Sequence, residues 1–581
     1  MIRDVGFLCW SQKSAWMERM SGTRWNNMVK KENKLFKAQV EKVATQEQLL
    51  SKAHTFMEAD GSMFFSHKNI IIKVAGGGQY EWSYVNSKNT HIVSHIDVSD
   101  LIYTTRDIGN GAQQYRVECI KNGKVLWYKD NVGSEVYVKG DKCYVLGAHM
   151  LWYNSLLILD AATGKLLEKM YEETDKRYNL SLINGEEAIF LIRENSGKED
   201  LYIVEDSLKR IESEATLFYP IGYYKKKLCY LENINNIWHA KGFNLKPFSH
   251  AIEYFSLEKG RFILREHGLK VFYNLDFKKL FSFYGELYTH PLKGNKFFID
   301  FTGGAIQEFY FDKTITDCAT NYSTIKSDYA TSSDGTRVPY IVAIPSCKIK
   351  GLIVAAYGAY GIPSDVSTRR WKPYIDDGWA ICFPFVRGGG DVDKIWADQA
   401  KTYNKYKSCE DFEACISDVQ QLCHIKPLDT CIYGRSAGGY LMGMAVARNS
   451  GLFKMVYTEV PYVDVLRTTT NTSLPLTSLE FDEFGNPRSG IYEFQKILEM
   501  SPVDSLTKVP DLSVLIRTSE NDIQVYAYES YKWLDALRGG KYDKRKLLYC
   551  SEKKGHTIIG QDKYTNFSED FYLLKSFRRN E

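Results

Sequence analysis

The chain is short of several things at once, and each shortage removes a class of function. Its 581 residues include 12 cysteines, yet no two stand as a C-x-x-C pair, so neither a zinc site nor a dithiol redox motif is expected. Cys431, in the run TCIYG, sits among apolar neighbours and reads as a small buried hydrophobe, which fits a reducing compartment. Excess charge is missing too. The 75 Lys and Arg face 71 Asp and Glu, for a formal net charge of +4, which gives no reason to expect nucleic acid or an anionic membrane as partner. No apolar stretch approaches the roughly 20 residues of a membrane span. The longest, GLIVAAYGAYGI at 351–362, is rich in Gly and Ala and reads as a buried strand running into a loop. The opening MIRDVGFLCW is broken too early for a signal peptide, and a cytoplasmic setting is expected. No G-x-x-x-x-G-K-[ST] pattern is present, so nucleotide binding is not expected. No cofactor and no metal are implied.

What is there is ordinary globular material, 44% hydrophobic and 25% charged, in a chain too long for one core. Three textures divide it. Residues 1–55 look helical: Met28, Leu35, Phe36, Val40, Val43 and Leu49 recur at mostly helical spacing through 27–53. Residues 56–318 hold short β-type runs between turn signals. Examples are NIIIKV at 69–74, KVLWYKD after Asn122-Gly123, and SLLILDAATGKLLEKM at 155–170, where Ala-Thr-Gly joins two apolar runs as in a hairpin. Such strands mean a sandwich or a propeller, and a stretch this long favours an all-β propeller. From 319 to 581 strand-like and helical runs alternate. GLIVAAYG, WAICFPFV, DTCIYG and LSVLIRT read as buried parallel strands, so a doubly wound, mostly parallel α/β sheet is expected.

One segment of that last region carries chemistry. Gly434-Arg435-Ser436-Ala437-Gly438 joins a strand to a Gly/Ala/Met-rich helix start and fits the G-x-S-x-G nucleophile elbow. The turn exposes the serine hydroxyl at a helix N-terminus, where backbone N–H groups favour developing negative charge. The elbow needs an acid and then a base later in the chain. Asp522 follows the strand LSVLIRT, in the loop SEND, and His556 follows KLLYCS. Of eleven histidines, His556 alone lies beyond Ser436. The roles follow: His556 takes the Ser436 proton, Asp522 orients the imidazole, and the Ala437 N–H supplies half of an oxyanion hole. An α/β-hydrolase domain with a Ser-Asp-His triad is therefore expected.

These residues, with their surroundings, resemble the prolyl oligopeptidase family of serine peptidases, its oligopeptidase B branch most closely. The likeness rests on Tyr357-Gly358-Ala359-Tyr360-Gly361, on Val386-Arg387-Gly388-Gly389-Gly390, on the elbow extended to Gly443, and on Val460-Pro461-Tyr462-Val463-Asp464 with Glu480-Phe481-Asp482-Glu483-Phe484-Gly485-Asn486-Pro487. It implies a helical leader packed on the hydrolase domain, a β-propeller, and short peptides as substrates. It also implies that Tyr357 donates its hydroxyl to the oxyanion, that the Arg387 loop is structural, and that Glu480, with Asp482 beside it, binds the Arg or Lys before the cut bond. A buried carboxylate pairs well with a guanidinium and penalises apolar side chains that leave it unpaired. The family's acidic pair after its YGSYG segment is reduced here to Asp365, and its glycine-rich stretch after the histidine is here Thr557-Ile558-Ile559-Gly560. Prolyl-endopeptidase-like proteins share the EFDEFGNP-type block and an END acid loop such as Glu520-Asn521-Asp522, so ester or thioester cleavage is a second expectation. A non-catalytic scaffold is a third, disfavoured by the intact Ser, Asp and His.

Overall fold

The computed structural model describes residues 2–579, apart from positions 5, 7, 62, 77–78, 86–89, 110–112, 150, 196, 290, 293–295, 312–320 and 559–560. The expected domain boundary at 318/319 lies outside the described residues. The leader is not helical throughout. Ile2–Asp4 and Cys9–Ser11 pair antiparallel, and two helices follow, α1 (Thr23–Val43) and α2 (Gln46–Asp60). The single helical run read through 27–53 is broken at Thr45. Its hydroxyl accepts from the Gln48 N–H while the Gln48 side chain accepts from the Thr45 N–H, a capping box that starts a new helix. That helix runs past residue 55 to Asp60, later than the boundary read from composition. Phe36, Val40 and Phe56 bury themselves against the last helix of the chain, at Phe571 and Leu574, and so dock the leader on the hydrolase domain.

Antiparallel meanders of three or four strands follow, spanning 64–93, 95–132, 137–172, 179–210, 217–241, 251–283 and 285–310. Their apolar residues do not form one core. Leu146 and Leu156 pack on Leu182 and Leu191, Phe190 on Phe218, Ile221 on Phe262, and Ile263 on Phe297. Each cluster thus lies between one meander and the next. Phe298 of the last packs with Phe65 of the first, ring centroids 5.2 Å apart. Sheets that bury their faces only on their neighbours, with the last meeting the first, make a closed β-propeller.

The hydrolase domain is an eight-stranded sheet: β1 (Ser323–Thr331), β2 (Arg337–Pro345), β3 (Gly351–Ala355), β4 (Trp379–Pro384), β5 (Thr430–Arg435), β6 (Met455–Glu459), β7 (Ser513–Ser519) and β8 (Lys546–Ser551). The order is β1-β2-β4-β3-β5-β6-β7-β8, with β3 to β8 parallel. Alternate residues serve two cores: Leu352 and Val354 pack with Phe412 and Ile416, and Ile353 packs with Trp371 and Leu574. Both faces are buried, which is why these strands read as continuous apolar runs. The crossovers include α3 (Tyr406–Cys423), α4 (Ala437–Asn449), α5 (Thr477–Phe484) and α6 (Ala527–Arg538), with α7 (Gln561–Arg579) closing the chain. Among the described residues, no helix is long and apolar enough to cross a membrane.

A buried ion pair holds the loops above the sheet. Arg387 is 1% exposed and Asp411 0%. The guanidinium donates to both Asp411 oxygens at 2.8 and 2.6 Å, the Arg387 N–H donates to the same carboxylate at 3.0 Å, and a further guanidinium N–H reaches Asp334 at 2.6 Å. This anchors the 386–390 loop, which lies flat on the 357–362 loop: the Gly361 N–H donates to the Gly388 carbonyl at 2.9 Å, and a Cβ on Gly390 would stand 2.0 Å from the Gly361 carbonyl. Asp411→Ala leaves a charge buried with half its partners gone. It should lower the stability of the hydrolase domain by about 3–5 kcal/mol, measured by denaturant unfolding. A loss near that of a surface substitution would show that Asp334 alone satisfies Arg387.

Candidate active site

The elbow is as tight as its glycines require. Ser436 has φ 56°, a left-handed conformation that a serine adopts only where its surroundings impose it. A Cβ on Gly434 would stand 2.3 Å from the Gly438 carbonyl oxygen, and one on Gly439 would stand 2.4 Å from Pro461 Cβ. The Ser436 N–H donates to the Glu459 carbonyl at 3.0 Å, and the Ser436 carbonyl accepts from the Gly439 and Tyr462 N–H groups at 2.8 and 3.0 Å. The serine therefore sits rigidly between β5 and the first turn of α4, with the Ala437 N–H at the helix start.

Asp522 and His556 come from the loops after β7 and β8 and meet each other. His556 Nδ1 and Asp522 Oδ2 are 2.7 Å apart, and both side chains are buried. The other Asp522 oxygen accepts from the N–H groups of Gln524 and Val525 at 2.9 and 3.0 Å, so the carboxylate is fixed by backbone. The two loops are tied together as well, with the Asn521 N–H on the Lys554 carbonyl at 2.8 Å and the Glu520 N–H on the Ser551 carbonyl at 3.0 Å. Arg435, next to Ser436, donates to the His556 carbonyl and, at 3.1 Å, to the Thr557 hydroxyl. Among the described residues, no hydrogen bond joins His556 to Ser436. Ser436 lines a cavity of about 670 Å³, and His556 lines a second of about 270 Å³ with Arg435, Glu459, Thr518 and Ser519. Ile559 and Gly560, beyond the histidine, lie outside the described residues.

Tyr357, Tyr360, Ala437 and Glu480 line the larger cavity with Ser436. Burial and the neighbouring Glu480 push the Tyr357 phenol up to about 12, against the Ser436 hydroxyl, which interacts with it. It therefore stays a donor at neutral pH. The acidic block divides unequally along α5. Glu480 and Glu483 are both buried. Glu483 is ion-paired with Lys405, whose ammonium also donates to the Gly358 carbonyl at 3.0 Å. Among the described residues, Glu480 has no cation on it and accepts only from the Tyr360 hydroxyl, at 2.7 Å. Burial, with like charge from Glu483 and Glu529, pushes Glu480 up to about 8, against the pull of Tyr360 and Lys405. Asp482, expected beside Glu480, is exposed and does not line the cavity. One residue along a helix turns a side chain by roughly 100°, so Glu483 has the inward place. The sequence gives no signal for Lys405, which lies in no motif, and Tyr360 enters only as part of the 357–361 motif, without a role; its φ of 57° is a strain that only coordinates reveal.

Residues 366–576 match the model of the prolyl oligopeptidase family. That match lies within the hydrolase domain and spans most of it. Among similar proteins, Protease 2 of Moraxella lacunata is 34% identical over 226 residues, 38% of this chain and 32% of that protein. A prolyl endopeptidase-like protein of Xenopus laevis is 32% identical over 228 residues, again 38% and 32%. The chain thus matches about a third of the length of these curated relatives. The fold likeness runs further. Oligopeptidase B from Leishmania major superposes with a TM-score of 0.80 over 98% of this chain and 94% of that one, at 16% identity. At the position of the family's acidic pair, Asp365 lines the smaller cavity, with Arg369, rather than the one that holds Ser436.

Glu480 makes stability depend on pH. Its folded pKa lies above its ordinary value near 4.5, so between about pH 4.5 and 8 the unfolded chain binds fewer protons than the native one. Stability is then lost as pH rises through that window and is level above it. Glu480→Gln removes the effect. The variant should gain stability over the parent steadily from pH 5 to pH 8 in denaturant melts. A gap that is constant with pH would show that Glu480 is ionised throughout.

Proposed function

We propose that this protein is a serine oligopeptidase that cuts short peptides after Arg or Lys through an acyl-enzyme on Ser436. The observation that carries the specificity is Glu480: a buried carboxyl in the wall of the Ser436 cavity with no cation on it among the described residues, beside a second carboxylate, Glu483, that has one. An arginine or lysine side chain entering there would complete the pair, and a neutral one would leave the carboxyl unpaired. His556, held through Nδ1 by Asp522, presents Nε2 as the base for the Ser436 proton and returns that proton to the leaving amine. The Ala437 N–H and the Tyr357 hydroxyl meet the oxyanion, each aimed where charge develops. The structural neighbours include an oligopeptidase B and prolyl endopeptidases, in keeping with peptide cleavage.

Ser436→Ala should lower turnover by about 10⁶-fold, and Tyr357→Phe should lower kcat by roughly 10²–10³ with the fold intact. Steady-state kinetics and fluorophosphonate labelling check both. Residual activity within tenfold for Ser436→Ala would remove the assignment, and a Tyr357 effect confined to KM would make that residue part of the binding wall.

Specificity is tested at Glu480. Glu480→Gln keeps the shape and should cost an Arg substrate about 2–4 kcal/mol in kcat/KM, the effect of a buried charge losing its partner, while a small activated ester is nearly unaffected. The charge should also show in pH. With Glu480 near 8 in the empty pocket, surrounded by Tyr360, Glu483 with Lys405, and Glu529, ionisation favours the cationic substrate. The Arg-to-Ala ratio of kcat/KM should therefore climb from pH 6 to 8 in the parent and stay flat in Glu480→Gln. A parent that prefers Pro or Ala would leave only the hydrolase chemistry. Matched amide and thioester substrates carrying the same Arg separate peptidase from esterase.

A further inference from the structure

The wall of the Ser436 cavity opposite the sheet is made by the propeller, and it carries two carboxylates beside a single cation, Arg265, which is already ion-paired with Glu253. Glu194 and Glu199 stand directly across from each other on two antiparallel strands and both line the cavity. The adjacent cross-strand pair, Arg193 and Asp200, points to the other face and is complementary, with Arg193 donating to Asp200 at 3.1 Å. Like charges directly opposite destabilise a sheet, so the mismatch is confined to the face that meets the cavity. Neither carboxylate has a cation on it among the described residues. Glu194 accepts from the Ser181 hydroxyl at 3.3 Å, and Glu199 accepts from the Phe218 N–H at 2.6 Å. Burial, with the charge of Glu194 beside it, pushes Glu199 up to about 7. Lys394 and Lys401, which reach toward Gly197 between them, are both paired with Asp398.

A second observation falls on the next meander. Asn233 is 3% exposed and lines the same cavity, and its side-chain carbonyl oxygen has no hydrogen-bond partner among the described residues. It is tied to Glu199 through Thr216, whose carbonyl accepts from the Glu199 N–H at 2.8 Å and whose N–H donates to the Asn233 carbonyl at 2.9 Å. Two carboxylates with no cation on them and one amide oxygen with no donor, among the described residues, therefore share one cavity wall. Buried acceptors are normally satisfied, and what would satisfy these is a group with several N–H donors and a positive charge.

We propose that Glu194, Glu199 and Asn233 form a second cation-binding subsite, on the propeller, which takes a basic group of the substrate remote from the residue at Glu480. The group is an ammonium or guanidinium, from an upstream Lys or Arg side chain or from the peptide's amino terminus. The subsite rests on the reading that peptides occupy this cavity with the bond to be cut at Ser436.

The test measures binding, so it does not depend on cleavage. Ser436→Ala protein is titrated calorimetrically, at low salt, with acetylated peptide amides that carry one Arg, alone or with a Lys at successive upstream positions, and with the unacetylated single-Arg peptide. At one spacing the Lys should tighten Kd by about tenfold, as one well-placed charge pair does. Ser436→Ala/Glu194→Gln/Glu199→Gln should lose that gain while binding the acetylated single-Arg peptide unchanged, which also shows its cavity to be intact. Ser436→Ala/Glu199→Gln should lose part of it. A gain with Lys assigns a side chain, and a gain only with the free amine assigns the terminus. No gain at any spacing or terminus, or a gain that survives both glutamine substitutions, overturns the proposal. Failure of the peptidase reading looks different: the parent protein would then leave the single-Arg peptide uncut.

Discussion

Everything at the site depends on how closely two pieces of backbone pass under Ser436. Gly438, in the first turn of α4, lies so near β3's exit that a Cβ there would stand 2.6 Å from the Ala356 carbonyl oxygen and 3.3 Å from Tyr357 Cα. That approach sets the helix start against the 357–361 loop. Ser436, the Ala437 N–H and Tyr357 are thus placed by one contact rather than three. The strained Ser436 backbone is held by hydrogen bonds on both sides, to Glu459 and from Tyr462, so the turn cannot relax without unpicking β6. Preorganisation of this kind is what lets donors act on a developing charge without first reorganising.

The remaining members arrive by topology. Ser436 follows β5, Asp522 follows β7 and His556 follows β8, and these strands are parallel and nearly consecutive in the sheet, so their C-terminal ends open on one rim. Electrostatics then separates groups that composition treats alike. Glu480 and Glu483 are three residues apart on α5 and equally sequestered, but Lys405 neutralises only Glu483. The unneutralised one is a stability loss retained at the cavity wall, the kind of local conflict that proteins keep where function needs it.

The architecture was legible in the sequence because period and punctuation carry it. Buried parallel strands read as apolar runs, propeller strands as short runs between turns, and the elbow as glycines around a serine. The order Ser436, Asp522, His556 came from the fold's chain order and from the single histidine available. The break at Thr45 was missed although its capping residues were in plain view, since the apolar spacing continues across it. Asp482 was placed beside Glu480 by its position in a motif, whereas helix geometry turns it outward. Lys405, Arg435 and Asn233 could not be read, because each matters through a contact with a residue distant in the chain or unpaired in space.

The seam between the domains follows from the same need to build a cavity from two parts. It is largely polar. Arg369 of the hydrolase domain donates to Asp300 at 2.8 Å and to Tyr288 at 2.8 Å, Glu286 accepts from the Val366 N–H at 3.1 Å, and Gly303 donates to Thr368 at 2.7 Å. A polar seam of this kind exchanges its partners for water on separation at far less cost than an apolar one. One strut is aimed at the chemistry itself. Arg265, ion-paired with Glu253 on the propeller, donates to the Gly390 carbonyl at 2.6 Å. Gly390 belongs to the loop on which Tyr357 and Tyr360 rest. The propeller is therefore more than a lid over Ser436: its seat helps set the loop that carries Tyr357 and the Glu480 partner Tyr360, so the geometry of the site is a property of both domains together.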